Sequence, residues 1–140
     1  MIGVDTNVLV ALINASHPAR ARQALHAVTA ARKTNGLLLS AQVCGEFMHV
    51  TTRKLQPPLH PDEARQFLRA LGNLPAVQQT HYELGTILRA RNEQPTWDAI
   101  LAQTLLDAGC TELLTENVDD FAGTGLVARN PFESPTNNST

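Results

Sequence analysis

Short apolar runs separated by longer amphipathic stretches constrain what this chain can fold into more than any other feature. "IGV" at residues 2–4 and "LLL" at residues 37–39 are too short for helices and are typical of buried strands. Similar runs are "AVQ" near Ala76, "ELLT" at residues 112–115 and "LVA" around Val127. Short buried strands separated by helices form a mostly parallel sheet covered on both faces. The pattern therefore predicts a three-layer α/β/α sandwich with a central sheet of four or five short strands.

The helices between these runs are predicted from their ends. Ser40 and Thr96 carry hydroxyls suited to N-caps, Pro61 suits a first turn, and "THYE" at residues 80–83 has the spacing of a capping box. Prolines 57 and 58 and Gly109 are stop signals. One further helix begins near Asn7, and the others cover about residues 40–54, 61–72, 80–91 and 96–109.

Length and composition indicate one ordinary soluble domain. The 140 residues are enough for a continuous core, which we expect over residues 1–133. The remaining "SPTNNST" at residues 134–140 has no apolar residue, so we expect a disordered tail. No apolar stretch approaches the roughly 20 residues that span a bilayer, and no basic region precedes the first apolar run, so a cytoplasmic location is expected. Cys44 and Cys110 lack disulfide or metal spacing and are predicted to be core residues.

The net charge of −2 excludes nucleic-acid binding through a global positive field. A nucleic-acid role would instead need local cations or a metal ion. Arg53 and Lys54 in "TTRK", together with Arg89 and Arg91, are candidate phosphate contacts. Exposed cations on helices more often serve only solubility.

Three carboxylates occupy unusual positions, and each also has an ordinary explanation. Asp5 follows the first strand, at the sheet edge where sites form, or it is a plain helix N-cap. Glu46 shares a helix stripe with Val43 and Val50 and so is predicted to face inward, unless its long side chain reaches the rim. Asp98 begins an inward stripe, although an acid in a first turn is also favoured by the helix dipole.

A fourth polar cluster, "TENVDDF", directly follows an apolar strand. Turns at strand ends are also rich in Asp and Asn for conformational reasons. If the carboxylates met, each pair at 4 Å would cost roughly 4 kcal/mol at an effective dielectric constant of ~20. A divalent cation would relieve this repulsion, and an all-oxygen ligand set favours Mg²⁺ or Mn²⁺. Such an ion can activate water against a phosphodiester, which is the outline of a nuclease site.

Several segments resemble the PIN-domain family: "VDTNVLV", "CGEF", "TWDAILAQTLLDAGC" and "ELLTENVDDF". The closing "DDFAGTGLVARNPFE" is similar to the end of its VapC-type toxin ribonucleases and their FitB-like relatives. The resemblance spans about residues 1–133. It implies parallel strands between helices and an Mg²⁺-dependent ribonuclease in which Mn²⁺ can substitute. It also implies an RNA substrate, a small antitoxin partner that lies across the active site, and a homodimer without membrane contact.

The resemblance assigns roles to individual residues by position. Asp5, Glu46 and Asp98 match the family's acidic triad and its metal ligands. The fourth acidic position is Asn117 here, which keeps an oxygen ligand but loses a charge; Asp120 or Asp119 is the candidate to replace that charge. The supporting polar residues of the first and fourth motifs are Thr6, Asn7 and Thr115.

Two other functions compete with this interpretation. Asn117 and the mildly acidic charge are compatible with a PIN-type module that binds RNA or protein but has lost catalysis. A phosphatase of the haloacid-dehalogenase type also places an Asp after its first strand. That chemistry needs a second Asp two residues later, where this chain has Asn7, so this alternative ranks last.

Overall fold

Five short strands form one parallel sheet in this computed structural model, which describes residues 1–71, 76–77 and 96–133. The strands are β1 (Ile2–Val4), β2 (Leu37–Ser40), β3 (Ala76–Val77), β4 (Glu112–Leu114) and β5 (Val127–Arg129). Their spatial order is β3-β2-β1-β4-β5, and each pairing is parallel. The predicted parallel sheet of four or five short strands is therefore confirmed.

Five α-helices and one short 3-10 helix connect the strands within the described residues. They are α1 (Thr6–Ile13), α2 (Pro18–Thr34), α3 (Ala41–Arg53), α4 (Pro61–Ala70), α5 (Thr96–Asp107) and the 3-10 helix Val118–Phe121. The sequence patterns did not predict α2, because its buried residues are only Ala24, Val28 and Ala31, which make a weak apolar stripe. The predicted helix over residues 80–91, which includes Arg89 and Arg91, and the tail 134–140 lie outside the described residues.

The predicted helix ends agree with the structure to within one or two residues. Ser40 caps α3 as predicted, since its hydroxyl accepts a hydrogen bond from the Val43 N–H at 3.1 Å. Thr96 is the first residue of α5, whereas it was predicted to be the N-cap before that residue. The helix α4 ends at Ala70 instead of Gly72. Within the part of the chain that the structure describes, no helix is long and apolar enough to cross a membrane.

The strand order creates one place at the edge of the sheet where a site can form. From β1 the chain continues through β2 and β3 on one side, and then places β4 and β5 on the other. The loops that follow β1 and β4 therefore leave the same carboxyl edge in opposite directions. Such switch points open a crevice at the carboxyl ends of the strands. The sheet thus brings Asp5, after β1, beside Thr115, after β4.

The core lies on both faces of the sheet. Buried side chains from β1, β2 and β4 pack against α1, α3 and α5. The largest fully buried side chains of the described residues are Phe47 in α3 and Phe121 in the 3-10 helix. Cys110 is a buried core residue, as predicted, whereas Cys44 is only half-buried and packs against this core; both are free thiols. Gly3 in β1 packs closely against α5: a Cβ there would lie 2.6 Å from Cδ1 of the buried Leu105.

We expect Gly3→Ala to lower the free energy of unfolding by about 1–3 kcal/mol, because the added methyl overpacks this contact. Gly45→Ala is the matched control. Gly45 lies inside α3, and no other group of the described chain comes within 4 Å of the place that a methyl would take, so alanine there should raise the free energy of unfolding by about 0.5–1 kcal/mol. Urea denaturation of the two variants measures both values. Equal effects would contradict the close packing of β1 on α5.

Candidate active site

Asp5 is the centre of a polar network at the carboxyl edge of the sheet. Its side chain is buried, with 8% exposed. Oδ1 accepts from the Thr6 N–H at 2.7 Å, which makes Asp5 the N-cap of α1, and its own N–H donates to the Leu114 carbonyl at 2.9 Å. The two explanations that the sequence allowed are therefore compatible, because one carboxylate oxygen caps the helix while the other takes part in the network beyond it.

The segment after β4 holds that second oxygen. The Thr115 hydroxyl donates to Asp5 Oδ2 at 2.7 Å and accepts from the Asn117 N–H at 3.1 Å. Asn7 lies between the two loops: its Nδ2 is 3.5 Å from Asp5 Oδ2, and its Oδ1 accepts from the Glu116 N–H at 3.2 Å. The supporting residues of the predicted site therefore fix the Asp5 carboxylate.

Glu46 reaches the same network from α3. Its Oε2 accepts from the Thr6 hydroxyl at 2.7 Å, and its Oε1 accepts from Gln42 Nε2 at 3.1 Å. Glu46 is exposed, so the prediction that it faces the interior is wrong. The stripe that it shares with the buried Val43 leaves the core at this turn, and the long side chain reaches the rim, as the alternative interpretation held.

Asp98 approaches from the first turn of α5 and is partly buried. Its pKa is raised from 3.8 to about 6, first by desolvation and then by repulsion from Asp5, Asp120 and Glu46. Burial also raises the pKa of Asp5, and the hydrogen bonds from Thr115 and the Thr6 N–H partly oppose that shift. The carboxylates from four segments of the chain thus interact electrostatically.

A cavity of about 430 Å³ joins these groups. Asp5, Glu46, Asp98 and Asn117 line it, together with Thr6 and Asn7. The carboxylate and amide oxygens in this lining and the mutual repulsion of its acids suit a hard divalent cation. The donor set therefore fits Mg²⁺ or Mn²⁺ chemically, although no three Asp, Glu, His or Cys side chains among the described residues are gathered closely enough to hold one ion. Glu46 and Asp98 would have to turn toward Asp5.

The other predicted site residues are placed differently. Asp120 does not line the cavity but lies close enough to repel Asp5 and Asp98. Asp119 is exposed on the 3-10 helix and is absent from the cavity lining. Arg53 and Lys54 are exposed at the C-terminal end of α3, also outside the lining. The three acids of the triad therefore line one cavity, and these two cations lie outside it.

Arg20 is a charged cavity residue that the sequence patterns missed. It lies in the first turn of α2, lines the cavity, and forms an ion pair with Glu116, whose Oε1 is 2.8 Å from its Nη2. Nothing in its local sequence indicates this position, because its partner is far away in the chain.

The raised pKa of Asp98 predicts how stability depends on pH. Between about pH 4 and 6 the folded chain binds more protons at this group than the unfolded chain does, so this group's contribution to stability falls as the pH rises through that interval. We expect Asp98→Asn to remove this loss. The variant should gain stability relative to wild type as the pH rises from 4 to 7. Thermal unfolding in EDTA measures the difference, and a constant difference across that range would contradict the electrostatic assignment.

Comparisons with known proteins agree with this architecture. Residues 2–125 match the PIN domain family. The fold is similar to a chain in the crystal structure of VapBC2 from Rickettsia felis bound to a DNA fragment from their promoter, with a TM-score of 0.68 and 19% identity over 93% of this chain and 98% of that one. No curated protein sequence matches the chain. Since the family match covers most of its length, the chain belongs to the PIN domain family.

Proposed function

We propose that this protein is a ribonuclease that hydrolyses RNA phosphodiester bonds with Mg²⁺, or with Mn²⁺ in its place. One observation carries the proposal: the carboxylates of Asp5 after β1, Glu46 in α3 and Asp98 in α5 line one cavity at the switch point of the sheet and repel one another. PIN domains are generally nucleases, and this cavity holds the kind of oxygen ligands that such chemistry needs.

The proposed division of labour follows the contacts. Asp5, Glu46 and Asp98 would hold the cation, with Asn117 as a neutral oxygen ligand and Asp120 as a further negative charge near them. When bound, the cation supplies polarisation of the phosphodiester and a water of lowered pKa. Asp5 is the fixed ligand, because two hydrogen bonds of 2.7 Å hold its two oxygens.

Thr6 and Thr115 act as positioning residues in this proposal. The Thr6 hydroxyl orients Glu46, and the Thr115 hydroxyl orients Asp5. Hydrogen bonds of this kind aim a ligand before the ion arrives and typically affect metal affinity or activity by 10–100-fold. Asn7 adds a link to the loop after β4.

The biological role that we propose is the toxin of a VapBC-type toxin–antitoxin pair. The support is the similar fold of a chain in a VapBC2 structure, together with the family match. The proposed partners are RNA, a cognate antitoxin protein and a second copy of the chain. We further propose that residues 1–133 form the nuclease domain, that the chain works in the cytoplasm, and that Arg53 and Lys54 contact RNA away from the cavity.

Replacement of a proposed ligand should abolish cleavage. We expect Asp5→Asn and Asp98→Asn to lower kcat/KM for RNA hydrolysis with Mn²⁺ by at least about 100-fold, since loss of a ligand should exceed the loss of an outer-shell hydrogen bond. The assay follows a fluorescently labelled single-stranded RNA.

Asp107→Asn is the matched control for these variants. Asp107 is exposed at the far end of the same helix as Asp98 and accepts a hydrogen bond from Gln103, so its replacement should leave cleavage within about twofold of wild type. Thermal unfolding confirms that each variant is folded. Equal cleavage by wild type and Asp98→Asn would contradict the assignment of the site.

A non-catalytic PIN-type binding module is the second candidate. Asn117 at the fourth acidic position favours it, as does the separation of the described carboxylates. Calorimetric titration with Mn²⁺ separates the two functions. The ribonuclease should bind Mn²⁺ with a heat signal that Asp5→Asn greatly reduces, whereas the binding module should show no heat at millimolar Mn²⁺ and bind RNA that stays intact.

A further inference from the structure

The acidic cavity has one positively charged wall. Arg20 in α2 is the only Lys or Arg in the cavity lining within the part of the chain that the structure describes. It faces a set of carboxylates that would repel any polyanion. A nucleic acid that enters this cavity therefore meets a single cationic side chain beside the acids. The contacts that Arg20 already makes decide which group it can still bind.

The guanidinium group is held on two sides. Its Nη2 lies 2.8 Å from Glu116 Oε1, and its Cζ lies 3.9 Å above the centre of the Phe132 ring. Phe132 is itself tied to the same helix, because its carbonyl accepts from Gln23 Nε2 at 3.2 Å. Stacking and the ion pair together limit the conformations of Arg20, so less side-chain entropy remains to be lost on binding.

This arrangement leaves hydrogen-bond donors unused. A guanidinium carries five N–H groups, and one carboxylate engages at most two of them. The side chain is 36% exposed, so Glu116 and Phe132 cover it only in part and leave room for a second anion. A planar fork of this kind matches the oxygens of a phosphate.

We propose that Arg20 binds a backbone phosphate of the RNA next to the linkage that is cleaved. The inference rests on the proposed ribonuclease function. It adds a residue that holds the RNA strand in place although the acids of the cavity repel its phosphates. Glu116 and Phe132 position the guanidinium. The competing role is purely structural: Arg20 would only fasten the segment around Phe132 to α2.

The salt dependence of RNA binding distinguishes these roles. Each phosphate neutralised on a single strand contributes about 0.7 to the slope of log Kd against log salt concentration. We expect Arg20→Met to reduce this slope by about 0.7. If the variant and wild type bind RNA equally at 1 M KCl, this difference in slope makes the binding of the variant about fivefold weaker at 0.1 M KCl. Arg20→Lys keeps the charge and should keep the slope.

The measurement uses fluorescence anisotropy of a labelled single-stranded RNA in EDTA, with KCl varied from 50 to 300 mM. Arg22→Met is the matched control. Arg22 lies two residues further along the same helix, is exposed and borders a different cavity, so this variant loses the same charge without changing the slope. In a parallel cleavage assay with Mn²⁺, Arg20→Met should raise KM while kcat stays within about twofold.

Three results would overturn the inference. Equal slopes for wild type and Arg20→Met would show that Arg20 contacts no phosphate, and a lower thermal midpoint in both Arg20 variants with unchanged slopes would assign it the structural role. A wild type that binds no RNA in EDTA would also overturn it. RNA cleavage by wild type with Mn²⁺ is measured separately, so a failure of the Arg20 inference alone is distinguishable from a failure of the ribonuclease proposal.

Discussion

The parallel pairing of β1 with β4 is the interaction on which the candidate site depends. It sets Val4 opposite Leu114, so the next residues, Asp5 and Thr115, meet at the carboxyl edge of the sheet. The same carboxylate caps α1 through the Thr6 N–H. One buried side chain therefore joins a strand end, a helix start and a loop. A shift of register between β1 and β4 would move Asp5 away from Thr115 and would disrupt the network of hydrogen bonds around the Asp5 carboxylate.

The site that results is unfavourable in isolation. Desolvation raises the pKa of Asp5, and repulsion from its neighbours adds to the desolvation that raises the pKa of Asp98 to about 6. The hydrogen bonds to Asp5 from Thr115 and the Thr6 N–H offset only part of this. Like charges that face one cavity at the expense of stability are typical of functional sites, because the group that binds there supplies the missing opposite charge.

Local sequence signals predicted the residues whose surroundings are local. The apolar runs predicted the strands, Ser40 predicted a cap that the structure confirms, and Asp5 was recognisable because a carboxylate directly follows a buried strand. Glu46 was predicted to face inward, but a helix stripe does not show where the core ends and a cavity begins. Arg20 gave no signal, since its neighbours Glu116 and Phe132 are about a hundred residues further along the chain.

The sequence by itself determined the class of fold and the candidate acids, because strand length, helix caps and the position of a carboxylate after an apolar run depend on neighbours within a few residues. Only the tertiary structure decided that β4 lies beside β1, that Glu46 meets Thr6 at the rim, and that Arg20 borders the cavity. These contacts join segments separated by 40 or more residues. Their geometry depends on strand order and helix packing, and no local pattern carries that information.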